Sequence, residues 1–252
     1  MSTYVIGDIH GAYRALKQVF DRSPIKEGDT IIQLGDIADG WSEVYECVDL
    51  LISMKDKYNM VFIKGNHDVW FNEFLTYGMH PTAWLQGGVG TLESYCRNVE
   101  RDIPTYTKNG GYMSTLNNTD IPESHIKFFK DQIYYYIDEK NRCYVHGGFD
   151  RWEFINNQIG FDLYWDRDLW NQALSCADGI KLKTVDDFSE IFIGHTSVTN
   201  MGTDKPMNSG GVYNIDTGAG WSGKLTIMNV DTKEYWQSDD VKELYKDERG
   251  RN

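Results

Sequence analysis

Six side chains in this sequence offer the donor types that hold a divalent ion: Asp8, His10, Asp36, Asn66, His146 and His195. Carboxylate, amide and imidazole donors in this mix suit manganese, iron or zinc better than calcium or magnesium, whose shells are built from oxygen. Six groups exceed the needs of one tetrahedral site. Asp36 lies between the other motifs in chain order and could bridge two ions through its two oxygens. A pair of ions roughly 3.5–4 Å apart clamps a phosphoryl group, activates water and supports in-line displacement. The residue types therefore point to metal-dependent hydrolysis of phosphate esters. Taken singly, each histidine reads as an ordinary polar residue at the start of a loop. Taken together, at the ends of apolar runs, they read as ligands.

The elements that must position them are legible as short apolar runs of β character. Residues 3–6 lead into Gly7-Asp8-Ile9-His10-Gly11, and residues 30–34 lead into Gly35-Asp36-Ile37-Ala38-Asp39. Residues 60–63 pass through Lys64 into Gly65-Asn66-His67-Asp68, residues 143–145 into His146-Gly147-Gly148, and residues 191–193 into Gly194-His195-Thr196. Continuous apolar runs suit strands buried on both faces. Ligands of open α/β sheets bind at the carboxyl ends of such strands, so five motifs at five ends predict one shared site. Helical spacing of Tyr13, Leu16, Val19 and Phe20, and then of apolar residues over about 41–57, places helices between the early strands. That alternation predicts parallel pairing with right-handed crossovers. Residues 71–77, 91–97 and 122–132 also read as helical. Strands are expected over 211–216, 224–230 and 234–237, the last two as a hairpin. With no repeat or linker in view, the expectation is one α/β domain over residues 1–252, with a second, more antiparallel sheet.

Composition narrows the function classes. The chain has 252 residues and a formal net charge of −13. That balance disfavours a groove for extended nucleic acid, which is held mainly by Lys and Arg, and a polybasic membrane anchor. No run approaches the ~20 apolar residues of a membrane span, and no signal segment is visible. Cys47, Cys96, Cys143 and Cys176 form no C-x-x-C pair and read as reduced thiols of a cytoplasmic protein. His80 and His125 lack the strand-end context and read as surface residues. The run Gly87-Gly88-Val89-Gly90 lacks the Lys-Ser/Thr of a P-loop and reads as a turn before a helix. Asp162, Asp166 and Asp168 lack EF-hand spacing and read as solvated or helix-capping. Residues 239–252 mix charge signs and read as a solvated terminal helix.

In order, Asp-x-His-Gly, Gly-Asp-x-x-Asp, Gly-Asn-His-Asp, His-Gly-Gly and Gly-His-Thr resemble the PPP branch of calcineurin-like metallophosphatases. The likeness is to small bacterial and bacteriophage members in particular: lambda-type protein phosphatases and symmetrical dinucleoside tetraphosphatases. Residues 84–95 and 214–219 are similar to further segments of that subgroup, so the resemblance spans nearly the whole chain. It implies a sandwich of two mixed β-sheets flanked by helices, with two divalent ions, manganese first and iron or zinc as alternatives. It implies that Asp8, His10 and Asp36 hold one ion, that Asn66, His146 and His195 complete the other, and that Asp36 bridges. A water between the ions would attack phosphorus with no covalent enzyme intermediate. His67 matches the family's general acid, with Asp39 orienting it and raising its pKa. Arg167 falls where the family has a phosphate-clamping arginine.

Two departures stand out. Gly40-Trp41 replaces the usual Arg-Gly after Asp39, which removes one phosphate-binding arginine; Arg151 is a candidate substitute, and Trp41 a candidate pocket-lining residue. Asp68 replaces the usual Glu. The leading expectation is a phosphatase of phosphate monoesters, such as phosphoserine or phosphothreonine in proteins or small phosphoesters. A symmetrical dinucleoside polyphosphate hydrolase is the nearest alternative. A phosphate-binding module without turnover is the alternative from a different class.

Overall fold

Val5, Ile6, Ile31 and Ile32 are wholly buried, because the short strands that carry them are covered on both faces. The structure, a computed structural model, describes residues 1–78, 84, 86–108 and 111–251. In chain order the elements are β1 (Thr3–Ile6), α1 (Tyr13–Arg22), β2 (Thr30–Gln33), α2 (Val44–Met54), β3 (Asn59–Phe62), α3 (Asn66–Tyr77) and α4 (Gly88–Asn98). They continue with β4 (Thr105–Tyr106), β5 (Tyr112–Met113), α5 (Glu123–Lys130), β6 (Tyr135–Ile137), β7 (Arg142–Val145), α6 (Gly160–Trp165) and α7 (Asp168–Leu174). The last third holds β8 (Glu190–Ile193), β9 (Met207–Ser209), β10 (Val212–Asn214), β11 (Thr226–Asn229), β12 (Tyr235–Gln237) and α8 (Val241–Leu244).

Two mixed sheets carry the fold. One runs β12-β11-β1-β2-β3, with β1, β2 and β3 parallel, β11 antiparallel to β1, and β12 antiparallel to β11. The other runs β6-β7-β8-β10-β9, parallel through β7, β8 and β10 and antiparallel at both edges. Between the sheets lies a cluster that draws Val5 and Ile32 from the first and Tyr144 and Phe192 from the second. On the second sheet, Tyr144, Phe192 and Tyr213 are cross-strand neighbours whose rings stack at 5.0 Å centroid spacing. A larger cluster packs α1 to α5 on the outer face of the first sheet, and a smaller one packs α7 on the second. The result is the α/β sandwich of mixed sheets flanked by helices that the motifs implied. No helix among the described residues is long and apolar enough to cross a membrane.

Several local readings change. The second helix spans Val44–Met54 rather than 41–57, because residues 41 and 42 are used elsewhere: Trp41 N donates to His10 O (2.9 Å) and Ser42 N to Glu248 Oε2 (3.0 Å). Gly87 holds the turn, but Gly88 to Gly90 already form the first turn of α4. His125 is buried, with Nδ1 2.8 Å from the Tyr95 hydroxyl and Nε2 2.9 Å from Asp49 Oδ1, so it is a core histidine and not a surface one. His80 lies outside the described residues. Residues 239–251 are no solvated helix. α8 is four residues long, and Tyr245 beyond it is buried, stacked on Trp41 at 5.0 Å and hydrogen-bonded to Glu43.

Phe192 sits wholly buried in the layer between the sheets, so Phe192→Ala should destabilise the fold by about 3–5 kcal/mol. Urea unfolding followed by circular dichroism checks this; a midpoint at the wild-type value would contradict the packing described.

Candidate active site

The register of the two sheets brings the carboxyl ends of β1, β2, β3, β7, β8 and β10 to one edge of the sandwich. Ile6 pairs with Gln33 and Gln33 with Phe62 in one sheet; Phe192 pairs with Tyr144 and with Tyr213 in the other. The loops leaving these ends deliver Asp8, His10, Asp36, Asn66, His146 and His195, all buried, to one cluster. Ligand atoms of Asp8, His10 and Asp36 lie within 4.8 Å of one another, and so do those of Asp36, His146 and His195. Asp36 belongs to both triads. Its Oδ2 is 3.3 Å from His146 Nε2 and 3.7 Å from His10 Nε2, while Asn66 Oδ1 is 3.2 Å from His146 Nε2.

The loops adopt backbone conformations that regular structure does not. His10, Asp36, Asp39 and His195 have positive φ values of 52°, 54°, 68° and 64°. Asp and His tolerate this region better than most residues, and such strain concentrates at functional sites. The glycine before a motif residue has a different use here. A side chain at Gly65 would collide with Asp36 Oδ1, and one at Gly194 with Asp8 Oδ1. Each of these glycines lets a carboxylate from a neighbouring strand end come against the backbone.

Hydrogen bonds select which imidazole nitrogen is available. His10 Nδ1 donates to the carbonyls of Ala38 (3.2 Å) and Asp39 (3.1 Å), and His146 Nδ1 to Leu34 O (2.8 Å). In His10 that tautomer leaves Nε2 as the lone-pair nitrogen, the arrangement by which outer partners orient metal-binding histidines. Burial favours neutral His146, but the Asp36 and Asp8 charges outweigh it and push His146 up to about 9, so a metal ion would displace a proton from its Nε2. His195 Nε2 is buried without a hydrogen-bond partner among the described residues. Burial, followed by the Arg251 charge, holds His10 well below the usual histidine range; burial, followed by His146 and Arg167, does the same for His195. Both are neutral, as ligands must be. Asp36 behaves oppositely: burial favours its acid form, but His146, His67 and His10 outweigh it and keep the carboxyl well below the usual range. The donors fit a pair of borderline divalent ions, and the unpartnered His195 nitrogen is the most direct sign of it.

Next to the cluster, Asp39 and His67 form a buried pair, with Asp39 Oδ2 2.7 Å from His67 Nδ1. The other Asp39 oxygen accepts from Trp84 Nε1 and Thr91 Oγ1, both at 2.6 Å. Burial pushes Asp39 up to about 8 and His67 down to about 3. This reverses the expectation that Asp39 raises the histidine's pKa: desolvation acts on both members and favours the uncharged form of each. The proton is retained at neutral pH on the Oδ2–Nδ1 line. His67 Nε2, buried and without a hydrogen-bond partner among the described residues, is the nitrogen left to act.

Asp68 shapes the loops from which these groups project. Its Oδ1 accepts from Ile37 N (2.9 Å) and Ala38 N (3.0 Å), and its Oδ2 from Gly65 N (3.2 Å) and Gln132 Nε2 (2.9 Å). The shorter Asp in place of Glu thus ties the second motif to the third. Two other residues fall into different roles. Trp41 is a core residue: it is fully buried, with Nε1 donating to Ala219 O at 2.7 Å. Arg151 is not brought to the cluster: its guanidinium bonds Gln172 Oε1 (2.5 Å) and Lys183 O (3.2 Å) and lies 3.9 Å over the Trp152 ring. Arg167 lies near enough for its charge to act on Asp36 and His195.

Sequence reasoning missed four groups. Trp84 and Thr91 brace Asp39 from a distant segment. Asp216, buried, acts by its charge on Asp8, which burial already raises well above the usual range. It follows β10 in the same strand-end pattern as the other motifs, so a signal for it existed. Arg251, whose Nη1 is 3.3 Å from His10 Nε2, had none.

The calcineurin-like phosphoesterase family profile matches residues 1–205. A symmetrical bis(5'-nucleosyl)-tetraphosphatase of Pseudomonas fluorescens (strain SBW25) is 24% identical over 296 aligned residues, covering 93% of this chain and 93% of that protein. Serine/threonine-protein phosphatase PP1-delta of Caenorhabditis elegans is 35% identical over 66 residues, covering 25% of this chain and 22% of that one. A crystal structure of a candidate diadenosine tetraphosphatase superposes with a TM-score of 0.62 at 13% identity, covering 93% of this chain and 91% of that one, which shows a shared fold.

Because Asp36 belongs to both triads, Asp36→Asn should lower metal content at both sites together. Elemental analysis after dialysis against manganese checks this; retention of wild-type content would refute the bridging position.

Proposed function

The chain belongs to the calcineurin-like phosphoesterase family, and from that premise we propose that it hydrolyses dinucleoside polyphosphates at the buried cluster. The observation that carries the choice of substrate is coverage. Sequence similarity to a symmetrical bis(5'-nucleosyl)-tetraphosphatase extends over 93% of both chains, whereas sequence similarity to serine/threonine-protein phosphatase PP1-delta covers 25% of this one. Asp8, His10 and Asp36 would hold one divalent ion, and Asp36, Asn66, His146 and His195 the other, with manganese the first expectation. Bound there, such ions supply charge neutralisation for phosphoryl oxygens and lower the pKa of water.

The protein's own groups do the rest. Water adds to phosphorus and releases a proton to solvent, the bond to the leaving oxygen breaks, and that oxygen takes a proton from His67 Nε2, which solvent restores to the Asp39–His67 pair at the end of the turnover. As Nε2 gives up its proton, Nδ1 takes the one held on the Asp39 hydrogen bond. Asp39 is left as a carboxylate, stabilised by the Trp84 and Thr91 donors that already point at it. Arg167 is placed to hold a phosphate oxygen, since a guanidinium matches two such oxygens.

A second reading has its own support. A proton donor matters most when the leaving group is a basic alkoxide and least when it is a nucleoside diphosphate. The intact Asp39–His67 pair therefore favours phosphate monoesters such as phosphoserine or phosphothreonine. Manganese-loaded protein, incubated separately with diadenosine tetraphosphate and a phosphoserine peptide, decides between them. ADP as the sole nucleotide product supports the first reading; phosphate from the peptide alone, with the dinucleotide untouched, overturns it.

His67→Asn should cut turnover of a phosphoserine peptide by about 10²–10⁴-fold and that of the dinucleotide by less, with metal content unchanged. Loss of metal in this variant, read by elemental analysis, would place His67 among the ligands and remove it as the acid.

A further inference from the structure

Two guanidinium groups reach the candidate metal cluster from distant parts of the chain. The guanidinium of Arg167, the residue before α7, makes no hydrogen bond or ion pair among the described residues; it lies 5.8 Å over the Trp165 ring, and its charge meets Asp36 and His195. Arg251 comes from beyond α8. Its Nη1 lies 3.3 Å from His10 Nε2, its guanidinium carbon is 4.9 Å over the Trp221 ring, and its Nε is buried without an acceptor among the described residues. The Arg251 charge is felt by His10, His67, Asp39 and Asp216, and by Arg167 itself. Two mutually repelling cations with unused donors beside one cluster form a receptor for an anion with several oxygens.

The placement of Arg251 is braced. A Cβ added at Gly40 or at Gly87 would stand 3.3 Å from Arg251 Cγ, so the arginine stem fills the space beside both glycines. At φ +107°, Gly40 occupies a conformation that side-chain-bearing residues rarely adopt, and the cation in this space is supplied by another segment. Arg251 N donates to Gly220 O (3.1 Å), Glu248 accepts from Ser42 N, and Tyr245 is locked against Trp41 and Glu43. Three successive anchors therefore deliver the guanidinium to the site.

We propose that Arg251 is a substrate-binding residue that, with Arg167, grips phosphate oxygens of the substrate over the metal cluster. This rests on the phosphoesterase reading and specifies how an acidic protein attracts its anionic substrate. In the structure the guanidinium rests on a ligand nitrogen, His10 Nε2; in the working enzyme its donors turn to phosphate.

The test uses Arg251→Met, which keeps most of the stem and removes the charge, and Arg251→Lys, which keeps charge without the fork. Orthophosphate affinity of the manganese-loaded proteins is measured by calorimetry, with KM and kcat for diadenosine tetraphosphate, metal content and thermal midpoint alongside. Arg251→Met should weaken orthophosphate binding and raise KM by about tenfold or more, with metal content and midpoint at wild-type values. Arg251→Lys should recover part of the loss. Unchanged phosphate affinity in Arg251→Met overturns the proposal. So does loss of metal, which would make Arg251 a support for His10, or a lowered midpoint with no recovery in Arg251→Lys, which would make its role one of packing. Failure of wild-type protein to bind phosphate or to hydrolyse any phosphoester would instead bring down the phosphoesterase reading, and this proposal with it.

Discussion

The Asp36 carboxylate is the interaction on which the rest of the site depends. One oxygen accepts the His67 backbone N–H at 2.9 Å, and the other sits between His146 and His10. Through that single group, the end of β2 is tied to the start of α3, to the first motif, and to the other sheet of the sandwich. Burying a carboxylate costs free energy unless opposite charge or hydrogen bonds offset the lost hydration. Here His146, with the His67 backbone N–H, does so, and Asp36 stays ionised where burial alone would protonate it. The polar loops can converge only because each offsets another's desolvation.

That dependence explains why the site is rigid and strained rather than merely polar. Four of its residues hold positive φ, two glycines make room for carboxylates against the backbone, and Asp68 gathers four donors from three segments. The Asp39–His67 pair follows the same logic. Desolvation drives both members towards neutrality, and a proton is stored between them where a reacting group can draw on it. Local rules of backbone and charge are broken at the place where chemistry is expected, and packing elsewhere carries the cost.

Most of the fold was legible because it is periodic. Strands buried on both faces leave continuous apolar runs, and amphipathic helices leave a repeating step; the parallel order β1-β2-β3 and the β11–β12 hairpin follow from these alone. The boundaries that moved did so for tertiary reasons. α2 begins at Val44 because Trp41 and Ser42 are engaged by His10 and Glu248. His125 has no local mark distinguishing it from a surface residue, yet Tyr95 and Asp49 bracket it in the core. Residues 239–251 look solvated by charge, but Tyr245 is an anchor that only its partner Trp41 reveals.

The sequence by itself determined which residues meet and what chemistry their types permit. Motifs attached to strand ends inherit their positions from hydrogen-bonded register, and register is written in apolar periodicity. What only the tertiary structure decided is which unattached cations arrive. Arg151 stands close in sequence to His146 yet points to Gln172 and Trp152, while Arg251 approaches His10 from the far end of the sequence. A long flexible side chain on an irregular segment carries no periodic mark of its destination. Its place is set by side-chain anchors remote in sequence, and those contacts exist only once the chain has folded.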